Sequence, residues 1–198
     1  MEILSKIFGS AARVKILRLF LFSPQQTYGT DEVVKKSRVT KPEAKRELVH
    51  LANAHFLKEK KLLTKKGTVS QKRQYQLLSE FPYSVNLRDL FNADFFNNRK
   101  LIANRFKHCG RIRLLILSGA FLHRVNAPAD LVIAGDDLKK TLIDQTVKNI
   151  EAETGRELTY AVFDTSDFLY RFHSSDRFIR DIFESEHERL IDKIGLDK

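Results

Sequence analysis

The sequence predicts an α+β chain of two domains, and three observations carry that expectation. Residues 10–78 set three helical segments ahead of two strand-like runs joined by a basic turn, and residues 111–194 alternate short apolar runs with helical segments. The excess of positive charge ends where the first pattern ends. The domains expected are 1–82 and 111–198, with an aromatic-rich linker and helix at 83–110.

A chain of 198 residues has room for one large domain or two small ones, and 42% hydrophobic with 30% charged residues is an ordinary globular balance. The single cysteine, Cys109, excludes an internal disulfide framework and a multi-cysteine zinc site. With no amino-terminal signal pattern, that usage fits a reducing cytoplasm. The longest apolar stretches, 16–22 and 114–118, fall far short of the ~20 residues that span a bilayer. No lipidation motif and no basic amphipathic helix points to a membrane surface, so a soluble cytoplasmic chain is expected.

Charge divides the chain sharply. Residues 1–82 hold 17 Lys and Arg against seven Asp and Glu, whereas residues 83–198 hold 18 of each, so the whole net charge of +10 is amino-terminal. Such a half-chain is the electrostatic footprint of a polyphosphate partner, because each Lys or Arg set against a phosphate releases condensed counterions.

Within the basic half, Ser10 caps a helix over 11–22 whose Val14, Ile16, Leu17, Leu19, Phe20 and Phe22 give a broad apolar surface, and Ser23-Pro24 ends it. A shorter helix follows, with Thr30 as cap, Asp31 and Glu32 in the dipole-favoured first turn, and Val33-Val34 inward. Thr40-Lys41-Pro42-Glu43 then forms a capping box that starts a helix running to about Ala54. Its inward set is Ala44, Leu48, Leu51 and Ala52, which leaves Lys41, Lys45, Arg46, Val49 and Asn53 outward. Two short helices joined by the tight segment 37–39, the second basic and outward-facing, describe a helix-turn-helix. A basic strand over 58–64, a turn at 65–68 and a returning strand over 69–78 complete a hairpin with a charged tip.

That order of elements, with the opening Ile7-Phe8-Gly9-Ser10-Ala11-Ala12-Arg13-Val14-Lys15-Ile16-Leu17, resembles the winged helix-turn-helix domains of bacterial and archaeal transcription regulators over residues 8–78. The resemblance implies that the third helix enters the major groove of double-stranded DNA and that the wing tip meets phosphates or the minor groove. It makes Lys41, Lys45 and Arg46 the candidate recognition surface, with Arg46 suited to a bidentate guanine contact and Lys41 to phosphate. Lys65, Lys66, Lys72 and Arg73 are the candidate wing contacts. The competing use of the helical cations is pairing with Glu43 or Glu47 along the same helix.

Phe81, Tyr83, Phe91, Phe95, Phe96 and Phe106 crowd the linker, where a helix is expected from about Ala93 to Lys107. So many aromatics need burial, between domains or in a homodimer interface. Beyond Arg111, strands are expected at 112–118, 131–134 and 158–163. Asp137 should cap a helix over 138–154 closed by Gly155, and Thr165 or Ser166 a short helix over 167–172. A further helix is expected at 176–185, and 189–194 fits strand or helix.

Leu117-Ser118-Gly119-Ala120-Phe121, the run 127–136 and Thr165-Ser166-Asp167-Phe168 resemble the small nucleotidyltransferase domain of the polymerase-beta superfamily. In active members a Gly-Ser pair cradles phosphates and an Asp-x-Asp pair binds Mg²⁺. Here the pair is Gly119-Ala120, Pro128 replaces the first aspartate and Asp130 alone survives, so the expectation is a domain with no catalytic residues, no metal and no cofactor. The whole then reads as a DNA-binding regulator, not an enzyme, whose second domain dimerises, senses a nucleotide or protein effector, or contacts a partner. The alternatives are an Mg²⁺-dependent nucleotidyltransferase that pairs Asp130 with Asp164, and an antitoxin-like partner-binding module. On this view Asp130→Asn leaves the fold intact. The six histidines show no metal-ligand spacing, and Cys109 has no adjacent base.

Overall fold

The computed structural model describes residues 2–63, 69–97, 101–122, 124 and 127–196. They divide into two compact units, residues 1–95 with 149–156 and residues 96–148 with 157–198, each with its own sheet. The chain is α+β, and among the described residues no helix is long and apolar enough to cross a membrane.

The first unit contains α1 (Glu2–Ile7), α2 (Ala11–Phe22), β1 (Tyr28–Gly29), α3 (Thr30–Ser37), α4 (Lys41–Asn53), β2 (Leu57–Leu63) and β3 (Val69–Leu77), and α5 (Ser84–Asn97) follows. Side-chain caps start α2 and α4. Ser10 Oγ accepts the Arg13 N–H at 3.2 Å at the head of α2. At the head of α4, Thr40 Oγ1 accepts the Glu43 N–H at 3.4 Å while Glu43 Oε2 accepts the Thr40 N–H at 2.8 Å. In α3 the cap is Gly29 rather than Thr30: the Gly29 N–H donates to Glu32 Oε2 at 2.7 Å, and Thr30 is already helical. Left-handed residues end two helices, Arg38 (φ 50°) after α3 and His55 (φ 54°) after α4. At the second, Phe56 N–H bonds the Leu51 carbonyl and His55 N–H that of Ala52, both at 3.0 Å. This paired arrangement turns the chain into β2 and buries Phe56.

The first sheet is antiparallel in the order β1-β3-β2, with a strand the sequence did not announce. Tyr28 stands opposite Tyr75 and Gly29 opposite Gln74, a two-residue pairing too short to leave an alternation. The hairpin runs from Leu57 opposite Leu77 to Leu63 opposite Val69, with a register shift after Lys61. Tyr75 and Leu77 point inward as their spacing requires. They join Val14, Phe20, Val33, Ala44 and Leu48 in the core. Arg18, also buried, lies over the Phe91 ring at 5.1 Å.

The single helix expected over 93–107 is instead two, α5 and α6 (Ile102–Arg105). Leu87 and Phe91, four residues apart, give α5 one face that packs on the first core, so the helix begins at Ser84. Of the crowded aromatics, Phe91 and Phe106 are buried, while Tyr83 is exposed.

The second unit is built on β4 (Arg111–Leu117), β5 (Leu131–Asp136), β6 (Tyr160–Asp164) and β7 (Glu188–Asp192), in the order β6-β5-β4-β7 with only β5 and β6 parallel. Its helices are α8 (Thr165–His173), α9 (Arg177–Glu184) and residues 140–148 of α7 (Lys140–Thr154), whose last residues belong to the first unit. The segment 189–194 thus contributes a strand, β7. Asp137 is not a cap: it is left-handed at φ 52°, its carboxylate takes Arg111 at 2.7 Å, and α7 starts at Lys140. At α8 the cap position falls to Asp164, because Thr165 is helical and its Oγ1 donates to Asp136 at 2.6 Å.

Leu114, Ile116, Val132 and Ala134 form one core with Phe168, Ile179 and Ile182, while the alternate residues Leu115, Leu117, Leu131 and Ile133 are equally buried. A sheet covered on both faces explains why β4 and β5 read as continuous apolar runs. Phe163, Phe168, Phe172 and Phe183 extend that core through ring contacts at 6.1, 6.3 and 5.3 Å.

Asp130 clamps the loops at one end of this sheet. Its Oδ1 accepts the Ala120 N–H at 2.6 Å and its Oδ2 the Thr159 N–H at 2.8 Å. A Cβ at Gly119, which has φ +53°, would sit 2.2 Å from Asp130 Oδ1, so glycine is required there. Asp130→Asn, expected from sequence to leave the fold intact, turns one of these acceptors into an amide donor facing an N–H. We expect it to lower stability by about 2 kcal/mol, the scale of charge-assisted bonds lost from a constrained site, as read from urea unfolding. Unchanged stability would deny the clamp.

Candidate nucleic-acid interface

The outward surface of α4 depends on what fixes its inward one. Ala44, Leu48 and Leu51 are buried as the spacing predicts, but so is Glu47, at 1% exposure. Arg13 of α2 donates Nε to Glu47 Oε2 at 2.7 Å and Nη1 to the Phe8 carbonyl at 2.9 Å, while Arg46 Nη2 reaches Glu47 Oε1 at 3.2 Å. Burial pushes the Glu47 carboxyl up, yet hydrogen bonding and charge from Arg13, with hydrogen bonds from Arg46 and Ser10, outweigh it and hold the group below its ordinary 4.5. The sequence reading omitted Glu47 from the inward set. Its position three residues after Ala44 and four before Leu51 was the signal that placed it there.

With that side fixed, Lys41, Lys45, Arg46, Val49, His50 and Asn53 are exposed. Lys41 Nζ pairs with Asp31 of α3 at 2.7 Å, and Arg73 Nε on β3 pairs with Glu59 of β2 at 3.3 Å. Lys41, Lys45 and Arg73 line one groove of about 660 Å³, with Val49 and Tyr75 as apolar wall and Asp31 and Glu32 at its α3 side. The structure therefore brings three of the candidate residues together. Arg46 does not line this groove and sits beside Glu47. Lys65 and Lys66 lie outside the described residues, and of Lys72 only the β3 backbone is described. Of the pairings expected along the helix, Arg46 takes Glu47, whereas Glu43 serves Thr40, whose hydrogen bonds hold its carboxyl below the usual range. Exposed ion pairs such as Lys41–Asp31 are worth only about 0–1 kcal/mol, so they do not keep these cations from a phosphate.

The acidic residues that the nucleotidyltransferase alternative would pair lie apart in the second unit. Leu131 pairs with Tyr160 and Gly135 with Asp164, so Asp130 and Asp164 stand at opposite ends of the β5–β6 ladder, separated by about 16 Å of strand. Asp136 is the acid nearer Asp164 in register, and Thr165 and Arg113 hydrogen bonds hold its carboxyl below the ordinary value. Among the described residues no group of three His, Cys, Asp or Glu is placed to hold a metal ion. Cys109 is buried, its Sγ 3.6 Å from Thr146 Oγ1.

No family model matches the chain, and neither the curated proteins nor the solved structures contain a match to it.

Removing Glu47 leaves Arg13 without its buried acceptor, so Glu47→Ala should destabilise the folded chain by about 3 kcal/mol at neutral pH. Because the folded-state value of Glu47 is lowered, its contribution is complete above pH 4.5 and is lost as pH falls through that folded value. Urea unfolding across acidic pH should show a shallower loss of stability in Glu47→Gln than in the parent chain. Equal slopes would mean that Glu47 is not the linked group.

Proposed function

We propose that the chain is a cytoplasmic, DNA-binding transcriptional regulator with an amino-terminal winged helix-turn-helix, acting as a homodimer and carrying out no catalytic step. The observation that carries this reading is the face of α4. It is fixed from behind by Glu47 and Arg13, and it displays Arg46 together with Lys41 and Lys45, which share a groove with Arg73, in the half of the chain that holds all the net charge. A helix so held can enter a major groove without repacking. Arg46 uses one nitrogen on Glu47 and keeps further donors in a planar fork, the chemistry of bidentate guanine recognition. Lys41, Lys45, Arg73 and the hairpin cations serve phosphates.

The second unit, in this reading, is a nucleotidyltransferase-like domain that has kept its sheet and not its chemistry. It serves dimerisation, ligand sensing or partner contact. What supports it over nucleotidyl transfer is that both oxygens of Asp130 accept backbone N–H groups.

Fluorescence anisotropy of the complete chain with duplex DNA tests the reading. Log K should fall linearly with log salt, at about 0.9 per phosphate neutralised. Arg46→Ala should weaken a selected site by roughly 1–3 kcal/mol more than random duplex, whereas Lys41→Ala should weaken both alike and reduce the slope by about one unit. No salt-dependent binding, or equal losses for Arg46→Ala on both duplexes, would refute the assignment.

A further inference from the structure

A cleft in the second unit plays no part in the DNA reading. It has a volume of about 310 Å³ and lies where the segment after α6 meets the start of β4 and the end of β7. Lys107, Arg111, Arg113 and Lys193 line it with the apolar Ile112 and Ile191, and no carboxylate is among its lining residues. Residues 83–198 carry equal numbers of both charges, so four cations around one cleft are a local concentration rather than general basicity. Asp130 is not near: β4 begins at this cleft and runs about 20 Å to the end that Asp130 clamps.

Two of these cations face each other across the β4–β7 ladder. Leu114 pairs with Asp192, and the Lys193 N–H donates to the Arg113 carbonyl at 2.7 Å, which sets Lys193 opposite Arg113. Like charges directly opposite each other destabilise a ladder. Asp136 takes Arg113 Nε at 3.0 Å and Asp137 takes Arg111 Nη2 at 2.7 Å, contacts that hold each guanidinium by one nitrogen and leave other donors. Among the described residues, no hydrogen bond or ion pair reaches the ammonium group of Lys107 or Lys193.

We propose that this cleft binds a small phosphorylated metabolite, its phosphate held among Lys107, Lys193 and the two guanidinium groups and its compact body against Ile191. The proposal gives the ligand-sensing part of the function a site and a ligand class, and it rests on that part alone. Dianionic phosphate suits the site because it accepts from both ammonium groups and from planar guanidinium forks at once.

Isothermal titration calorimetry of the complete chain with inorganic phosphate and with adenosine 5′-monophosphate tests it, alongside DNA binding measured on the same samples. The monophosphate should bind at one site and more tightly than phosphate. The exposed Lys107→Ala/Lys193→Ala double variant should bind it about tenfold more weakly, with its unfolding midpoint and duplex affinity unchanged. Absence of binding, equal affinity for both probes, or equal affinity in the double variant would overturn the proposal. Loss of duplex affinity in that variant would overturn it too, by giving the cleft to DNA. Phosphate-site binding that persists in a chain with no DNA affinity would leave this proposal standing and remove the regulator reading.

Discussion

A carboxylate enclosed by helices stays charged only if cations come to it, and Glu47 is such a group. Arg13 reaches it from α2 and Arg46 from its own helix, so the charge that burial would penalise becomes the bolt between α2 and α4. The rest of the first unit follows from that fastening. With Glu47, Ala44, Leu48 and Leu51 inward, the helical period leaves Lys41, Lys45 and Arg46 outward. The left-handed His55 then delivers the chain into β2, and the pairing of β3 with both β1 and β2 sets Arg73 beside the same groove. A basic face is thus a consequence of one buried acid.

The second unit solves a different problem, that of a small sheet covered on both sides. Its central strands β4 and β5 are apolar on both faces, and acidic residues stand at both ends of β5, where loops need fixing. Asp130 fixes one end through two backbone N–H groups. At the other end Asp136 and Asp137 hold Arg113 and Arg111 in place. The same residue type therefore acts as a loop clamp at one end and as an anchor for cations at the other.

How far the sequence discloses this depends on whether a feature is local. The capping box at Thr40 and Glu43, the Ser10 cap, the inward set of α4 and the strand pair β2–β3 are each written in a few neighbouring residues. Features settled by distant partners were not legible. Tyr28-Gly29 becomes a strand only because Tyr75 and Gln74 lie opposite. Asp137 offered a plausible cap, but Arg111 takes its carboxylate. The use of Asp130 as acceptor for the Ala120 and Thr159 N–H groups likewise depends on residues 10 and 29 positions away. Of the site, the outward cations of α4 were evident from periodicity, whereas the groove that gathers Lys41, Lys45 and Arg73 needed the sheet register.

The proposed function places DNA on the face of α4 that Glu47 holds outward. Hydrogen–deuterium exchange of the complete chain, with and without saturating duplex DNA, reports location as well as binding. The expected result is slowed exchange in α4 and in the strands β2 and β3, with β4 to β7 unchanged. Slowed exchange confined to residues 111–196, with α4 exchanging as in the free protein, would contradict it.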